Sequence, residues 1–192
     1  MEIIFATNNL HKVEEILHLV RKEITIITLA DLNFQEEIPE PFHTLEENAA
    51  AKVSYIYQKF HRSCFADDTA LEVDALQGEP GVFSARYAGE SKDAKANMLK
   101  LLERMKDISN RRARFRTVIA FMENGEVRFF EGIIYGTIIR EPRGEEGFGY
   151  DPVFQPDGYS QTFAEMPLAE KNKISHRAIA MRALAEYLNA KL

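Results

Sequence analysis

The sequence contains no tryptophan and a single cysteine, Cys64, so no disulfide can form within the chain. Its neighbours Phe65 and Ala66 favour a buried, unreactive thiol. No apolar run approaches the ~18 residues needed to cross a bilayer, and the first residues, MEIIFATNN, lack the basic region of a signal peptide. These absences predict a protein of a reducing compartment, most simply the cytoplasm, with no membrane partner.

Positive charge is also scarce. The chain carries 24 Lys and Arg against 30 Asp and Glu, which gives a formal net charge of -6. Non-specific nucleic-acid binding relies on a broad basic surface. We therefore expect no nucleic-acid partner, although a small phosphate ligand in a local basic pocket stays possible.

Several common motifs are missing. No G-x-x-x-x-G-K-[ST] occurs, which excludes a P-loop, and the glycine-rich stretch at 144–152 lacks the G-x-G-x-x-G order of a dinucleotide fingerprint. Neither H-E-x-x-H nor G-x-S-x-G is present, so neither a zinc site nor a serine-hydrolase elbow is expected. The chemistry must come from other residues.

The hydrophobic pattern predicts an alternation of strands and helices. A capping box, Thr44 with Glu47, marks one helix start, and Asn124-Gly125 marks a hairpin turn. We expect strands at 2–7, 24–29, 65–73, 113–122, 127–139 and near 153–154, and helices over 11–20, from Thr44 to about Phe60, after a Ser91 cap and after Ser175. Such an order predicts an α/β fold with a mixed, strongly twisted sheet flanked by helices. We expect a single domain over 1–192, with two lobes.

Two of four unusual stretches suit phosphate or metal. ATNNLHK, residues 6–12, runs from a strand into a helix, which aims free backbone N–H groups outward, and Lys12 adds a positive charge; an ordinary capped turn explains it equally well. Asp67 and Asp68 adjoin within the apolar stretch FADDTALEV, and oxygen ligands of this type suit Mg²⁺. Glu40, between two prolines, is a candidate third carboxylate.

The other two stretches suit a base or an anion. In GEEGFGYDP, glycines around Phe148 and Tyr150 let a backbone approach a flat ligand, and aromatic rings can stack on a base; a plain glycine-rich turn is the alternative. In EKNKISHRA, His176 and Arg177 fall in the first turn of the last helix, where the helix dipole disfavours cations. Their presence there predicts a bound anion.

Taken together, these motifs resemble the inosine triphosphate pyrophosphatase (ITPase) family of non-standard purine nucleotide hydrolases. The resemblance covers nearly the whole chain, from TNNLHK through FADDTALEVDALQGEPGVFSARYAG and FGYDPVF to EKNKISHR. It implies two lobes with a central nucleotide-binding cleft, usually in a homodimer. It also implies Mg²⁺-dependent hydrolysis of ITP, dITP or XTP to the monophosphate and pyrophosphate, which cleanses the nucleotide pool.

The resemblance further implies a role for each matching residue. Asp68 would be the general base and, with Glu40, would hold the metal. The triphosphate, the sugar and the base would be bound by Thr7, Asn8, Asn9, Lys12, Thr69, Phe148, Gly149, Tyr150, Asp151, Lys171, His176 and Arg177. Asp67 would ligate a second ion or brace the loop. Two alternatives remain at this point: an Mg²⁺-dependent phosphohydrolase of another nucleotide or a sugar phosphate, and a nucleotide-binding module without turnover.

Overall fold

The computed structural model describes residues 1–17 and 19–191. It contains seven strands: β1 (Glu2–Phe5), β2 (Thr25–Thr28), β3 (Cys64–Val73), β4 (Pro80–Gly81), β5 (Arg112–Glu123), β6 (Glu126–Ile138) and β7 (Phe154–Pro156). The α-helices are α1 (Leu10–Leu17), α2 (Leu45–Phe60), α3 (Ala94–Arg104), α4 (Leu168–Ile174) and α5 (His176–Asn189). The α/β class predicted from the sequence is confirmed.

All seven strands belong to one mixed sheet with the order β2-β1-β3-β5-β6-β7, and β4 pairs with β3. β1 runs parallel to both β2 and β3, whereas β3 pairs antiparallel with β4 and β6 antiparallel with β7. In the register, Phe5 lies opposite Phe65, and their rings stack with centroids 4.4 Å apart. The parallel pairs explain why β1 reads as a continuous apolar run, since both of its faces are covered.

The chain divides into two compact units, which are described separately. Unit 1 comprises Met1–Asp68, Thr117–Gly132 and the segment from Arg177 onward, and unit 2 comprises Thr69–Arg116 and Ile133–His176. The core of unit 1 joins strand residues to the inner faces of α1 and α5: Ile3, Phe5, Val13, Ile16, Phe65, Ile119, Phe121, Met181, Leu184 and Leu188. The single-domain prediction over 1–192 stays a prediction.

Unit 2 has its own apolar core. It packs the end of β3 and the inner face of α3 against aromatic residues from β5, β7 and the turns: Leu71, Val73, Met98, Leu101, Met105, Phe115, Phe154, Phe163 and Met166. Arg111 closes the end of this unit, because its guanidinium donates hydrogen bonds to the carbonyls of Met105, Ile138 and Ile139 at 2.8, 2.6 and 3.1 Å.

Signals that depend on a few neighbouring residues predicted the structure well. α2 begins after the N-cap Thr44, whose hydroxyl accepts a hydrogen bond from the Glu47 N–H, and it ends at Phe60. Asn124 and Gly125 both adopt positive φ, 52° and 80°, as the tight turn of the β5–β6 hairpin requires. Both predictions are confirmed.

Three local predictions need correction. Ser91 is not the cap of α3; Asp93 is, and it accepts a hydrogen bond from the Ala96 N–H at 3.0 Å. Lys92, between them, has φ of 53°, so a helix cannot run from Ser91 through it. The segment 168–174 before Ser175 forms the unpredicted helix α4.

In α1, Val13 and Ile16 face the core, but Leu17 is 53% exposed. The buried position is taken by Glu15 instead. This carboxylate is compatible with burial because it has a cationic partner, described below.

Within the described part of the chain, no helix is both long and apolar enough to cross a membrane.

Candidate active site

Five of the residues predicted to bind phosphate or metal meet in unit 1 as two neighbouring ion-pair groups. β1 ends at Phe5, and Asn9 then starts α1: its side-chain oxygen accepts hydrogen bonds from the N–H groups of His11 and Lys12 at 3.0 and 3.4 Å. Thr7 in turn accepts from the Asn9 N–H at 3.1 Å, while Asn8 is exposed. This capped turn places Lys12 one turn into the helix.

The first group is centred on Asp67 of β3, which is buried. The Lys12 ammonium lies 3.1 and 3.0 Å from its two carboxylate oxygens, and the Arg177 Nε donates to Oδ2 at 3.2 Å. Burial alone would raise the pKa of Asp67, but the positive charges of Lys12, Arg177 and Lys52 outweigh it and hold the pKa well below its usual range. Asp67 is therefore an ionised anchor for two cations.

The second group is centred on Lys52, which projects from the buried face of α2. Its ammonium forms an ion pair with Glu40, lies 3.6 Å from Asp68 Oδ1, and donates to the backbone carbonyl of Asp67 at 2.9 Å. Burial lowers the pKa of Lys52, but the carboxylates of Asp68, Glu40 and Asp67 raise it by more than burial lowers it. The pKa therefore lies above its usual value, and the amine is charged. Thus the structure brings Glu40 and Asp68 to one point, although 27 intervening residues separate them in the sequence.

Asp68 differs from its neighbour Asp67. Burial raises the pKa of Asp68, the carboxylates of Glu40 and Asp67 add to this, and Lys52 and Lys12 only partly offset it. Two adjacent carboxylates thus have pKa values moved in opposite directions by their surroundings. Such a separation is typical of sites where one acid is structural and the other takes part in proton transfer.

Arg177 lies at the start of α5, and its guanidinium is 2% exposed. It pairs with two protein carboxylates, Asp67 and Glu15, and these raise its pKa although burial lowers it. The cation predicted to face a bound anion therefore faces anions of the protein itself. Its role in base recognition stays a prediction.

The carboxylates of unit 1 were also considered as metal ligands. Among residues 1–17 and 19–191, no group of three or more His, Cys, Asp and Glu side chains is arranged to hold a metal ion. Glu40 and Asp68 form a pair at Lys52. A pair fits Mg²⁺ in a nucleotide site, where the ion takes one or two carboxylates and completes its shell with substrate phosphates and water.

Unit 2 holds most of the residues predicted to contact base and sugar. Asp151 and Lys171 are both buried and form an ion pair of 2.9 Å. The same Asp151 oxygen accepts from the Phe148 N–H at 2.9 Å, and the Lys171 ammonium lies 5.2 Å from the centre of the Phe148 ring. The half-buried Phe148 is thereby fixed in position with a cation over its ring.

The loop that carries Phe148 depends on its glycines. At Gly147 a Cβ atom would overlap the Asp151 carboxylate, and φ is 73°. Gly149 also has positive φ, 64°, yet a Cβ there would meet no atom of the described residues within 4 Å. The space beside Gly149 suits the close approach of a ligand.

The remaining predicted residues of unit 2 are buried or half-buried. The His176 ring stacks on Phe115, with centroids 4.6 Å apart and planes 11° from parallel. Tyr150 donates its hydroxyl proton to the Ser84 carbonyl at 2.7 Å, and burial raises its pKa. Thr69, half-buried on β3, follows Asp68 directly.

Sequence reasoning missed two residues of the site, Lys52 and Glu15. Lys52 had a detectable signal, because it falls on the repeat of buried positions that runs along α2: Leu45, Asn48, Ala49, Lys52, Val53 and Ile56. A charged residue in such a stripe indicates a buried ion pair. Glu15 lies beside the apolar positions of α1 and pairs with Arg177, 162 residues away, so no local signal could have identified it.

A sequence model of the Ham1 family matches residues 3–187 of the 192-residue chain. The chain belongs to the Ham1 family. Relatives named dITP/XTP pyrophosphatase align with this chain over nearly their whole length. It is 51% identical over 189 residues to the dITP/XTP pyrophosphatase of Christiangramia forsetii, and the alignment covers 98% of this chain and 100% of that protein. It is 45% identical over 193 residues to the dITP/XTP pyrophosphatase of Bacillus subtilis, with 98% of each covered.

A solved Ham1 protein has the same fold. The structure of the Staphylococcus aureus Ham1 protein superimposes with a TM-score of 0.91 at 36% sequence identity, covering 100% of both chains. The resemblance inferred from the four motifs is thus confirmed. The chain is therefore a hydrolase, like the relatives of this family that are named dITP/XTP pyrophosphatase.

Proposed function

We propose that this protein hydrolyses non-standard purine nucleoside triphosphates (dITP, ITP and XTP) to the monophosphate and pyrophosphate. Its relatives named dITP/XTP pyrophosphatase align with it over nearly their whole length, which supports this activity. The observation that carries the chemistry is the different contacts of the two adjacent aspartates: Asp67 is paired with Lys12 and Arg177, while Asp68 lies with Glu40 at Lys52.

Asp68 acts as the general base. A carboxylate with a raised pKa takes a proton more readily than an ordinary aspartate, and here it would accept one from the water that attacks the α-phosphorus. Lys52 keeps Asp68 and Glu40 together and offsets their mutual repulsion. Asp67 orients Lys12 through two short contacts, so that the ammonium is available to the charge that develops on the departing pyrophosphate.

Mg²⁺ is the expected cofactor. Glu40 and Asp68 would hold it, and when bound it supplies neutralisation of the phosphate charge. The pair of carboxylates fits the ion's preference for oxygen ligands, as described above.

The remaining binding residues follow the family resemblance. Thr7, Asn8 and Asn9 at the start of α1 bind the triphosphate together with Lys12. Phe148 and Gly149 offer a ring and an open backbone to the base, with the further base and sugar contacts that the resemblance predicts: Thr69, Tyr150, Asp151, Lys171, His176 and Arg177.

Donor groups at the base explain the preference for a 6-oxo purine. Lys171 carries only hydrogen-bond donors, and a 6-oxo group accepts them. The 6-amino group of adenine would place donors against donors, which disfavours ATP. We further propose a homodimer in the cytoplasm, which light scattering on the purified protein and cell fractionation would test.

The experiment is a product assay with ITP, XTP, GTP and ATP, each with Mg²⁺ and with EDTA. Pyrophosphate from ITP or XTP alone, abolished by EDTA, is the expected result. Orthophosphate as the product would favour another phosphohydrolase, and unchanged nucleotide after long incubation would favour a binding module.

A further inference from the structure

The loop that carries Glu40 buries little apolar surface. Residues 34–42 form no helix or strand, and between residues 35 and 44, all of which the structure describes, no side chain is buried. Phe42, its largest apolar residue, is 42% exposed. Burial of apolar surface therefore contributes little to the position of this loop.

The buried side chain of Asn48 is hydrogen-bonded to the backbone of this loop. The Asn48 side chain, on α2, accepts a hydrogen bond from the Phe42 N–H at 3.0 Å and donates one to the Phe42 carbonyl at 3.1 Å. Asn48 is 1% exposed, so these bonds are shielded from water. A carboxamide is the only uncharged side-chain group that offers an acceptor and a donor side by side, as both bonds require.

The next turn of the same helix face holds Glu40. Asn48 and Lys52 are four residues apart, so they lie one above the other on α2. Asn48 binds the loop at Phe42, and Lys52 pairs with Glu40, two residues earlier. The helix thus fixes the part of the loop around Glu40 at two points, one through the backbone and one through the carboxylate, while Tyr55 and Lys59 of the same helix bind Glu36 earlier in the loop.

We propose that Asn48 is a positioning residue for Glu40: it fixes the backbone at Phe42 so that the Glu40 carboxylate lies at Lys52 and Asp68. This proposal rests on the function proposed above in one respect: Glu40 must serve the reaction. Loss of the two bonds releases the loop, and Glu40 then spends less time beside Asp68. Misplacement of a site group by about 1 Å can reduce a rate by roughly 100-fold.

The first test is amide hydrogen exchange in the free protein, which needs no substrate or metal. In Asn48→Ala the Phe42 N–H loses its acceptor, and we expect its exchange to accelerate at least about tenfold. Asn48→Asp has nearly the same volume and keeps the acceptor for the Phe42 N–H, although a charged oxygen replaces the donor, so exchange at Phe42 should stay slow. Thr44→Ala is the matched control, because it removes the N-cap of the same helix without touching either bond.

The second test is kinetic and asks whether Asn48 acts through Glu40. With Mg²⁺ and ITP, Asn48→Ala should lower kcat roughly tenfold and raise the Mg²⁺ concentration for half-maximal rate, while Thr44→Ala changes neither. In the Glu40→Gln background, Asn48→Ala should cause almost no further loss.

Unaltered exchange at Phe42 in Asn48→Ala, or losses from Asn48→Ala and Glu40→Gln that multiply, would overturn the proposal. If Asn48→Ala does not fold, Asn48→Ser replaces it in both tests, since the shorter hydroxyl cannot make both bonds to the Phe42 backbone at once. Absence of hydrolysis by the unsubstituted protein would refute the proposed function, whereas the exchange measurement would still decide whether Asn48 holds the loop.

Discussion

The buried pair of Arg177 and Glu15 should be essential to the stability of unit 1. Both side chains are nearly inaccessible, with exposures of 2% and 5%, and the same guanidinium also bonds Asp67. Arg177→Met would leave the Glu15 charge buried without its cation. Breaking a buried pair in this way costs about 3–5 kcal/mol. For a protein of this size that corresponds to a loss of roughly 6–20 °C in Tm.

Urea-induced unfolding of Arg177→Met, Glu15→Leu, their double variant and a control measures this cost. The double variant Glu15→Leu/Arg177→Met removes both charges, and we expect it to be more stable than Arg177→Met alone because no lone buried charge remains. Arg62→Met is the control, since Arg62 pairs with the exposed Glu2 and such pairs contribute at most about 1 kcal/mol. A cost for Arg177→Met no larger than that of Arg62→Met would refute the reasoning, and so would a double variant that loses the sum of both single costs.

Three further predictions concern two glycines, the thiol of Cys64 and the half-buried guanidinium of Arg111. Gly144→Ala should destabilise strongly in thermal unfolding, because a Cβ there overlaps neighbouring backbone, whereas Gly149→Ala should lose only about 1–2 kcal/mol from its positive φ. Cys64 is buried, and burial raises its pKa to about 12, so alkylation of the folded protein should be far slower than alkylation of the same thiol in urea at every pH from 7 to 10; equal rates in the two states would contradict this. Arg111→Lys should cost about 1.5–3 kcal/mol in urea unfolding because lysine cannot reach three carbonyls at once, while Arg112→Lys, at an exposed ion pair, should cost under about 1 kcal/mol; equal costs would refute the role of Arg111.

Elements with a local cause could be predicted from the sequence. The capping box at Thr44 and the Asn124-Gly125 turn each depend on contacts within four residues, and the structure has both. The prediction of the α3 cap failed for an equally local reason. Ser91 and Asp93 are both good N-cap residues, and only the left-handed backbone at Lys92 decides between them.

Buried charge was harder to predict, because it depends on partners distant in the sequence. Glu15 is compatible with burial only because Arg177 reaches it from α5. Similarly, the anions that Arg177 faces belong to the protein, which the helix-dipole argument could not distinguish from a bound ligand.

The convergence of Glu40 on Asp68 is the part of the site that spacing could not supply. Glu40 lies on a loop between two prolines, and Asp68 lies in the middle of β3. Lys52 of α2 contacts both carboxylates. In the sequence, the only sign of this role is its position in an apolar stripe of the helix. The family resemblance paired the two carboxylates before the structure supplied their common partner.

The central claim, that Asp68 is the general base of pyrophosphate release, is tested most directly by Asp68→Asn. This change keeps the shape of the side chain and removes the group that takes the proton. We expect pyrophosphate release from ITP at saturating Mg²⁺ to fall by about 100- to 10,000-fold, with the urea midpoint kept close to that of the unsubstituted protein. A rate within tenfold of the unsubstituted protein would contradict the claim and assign the proton transfer to another group.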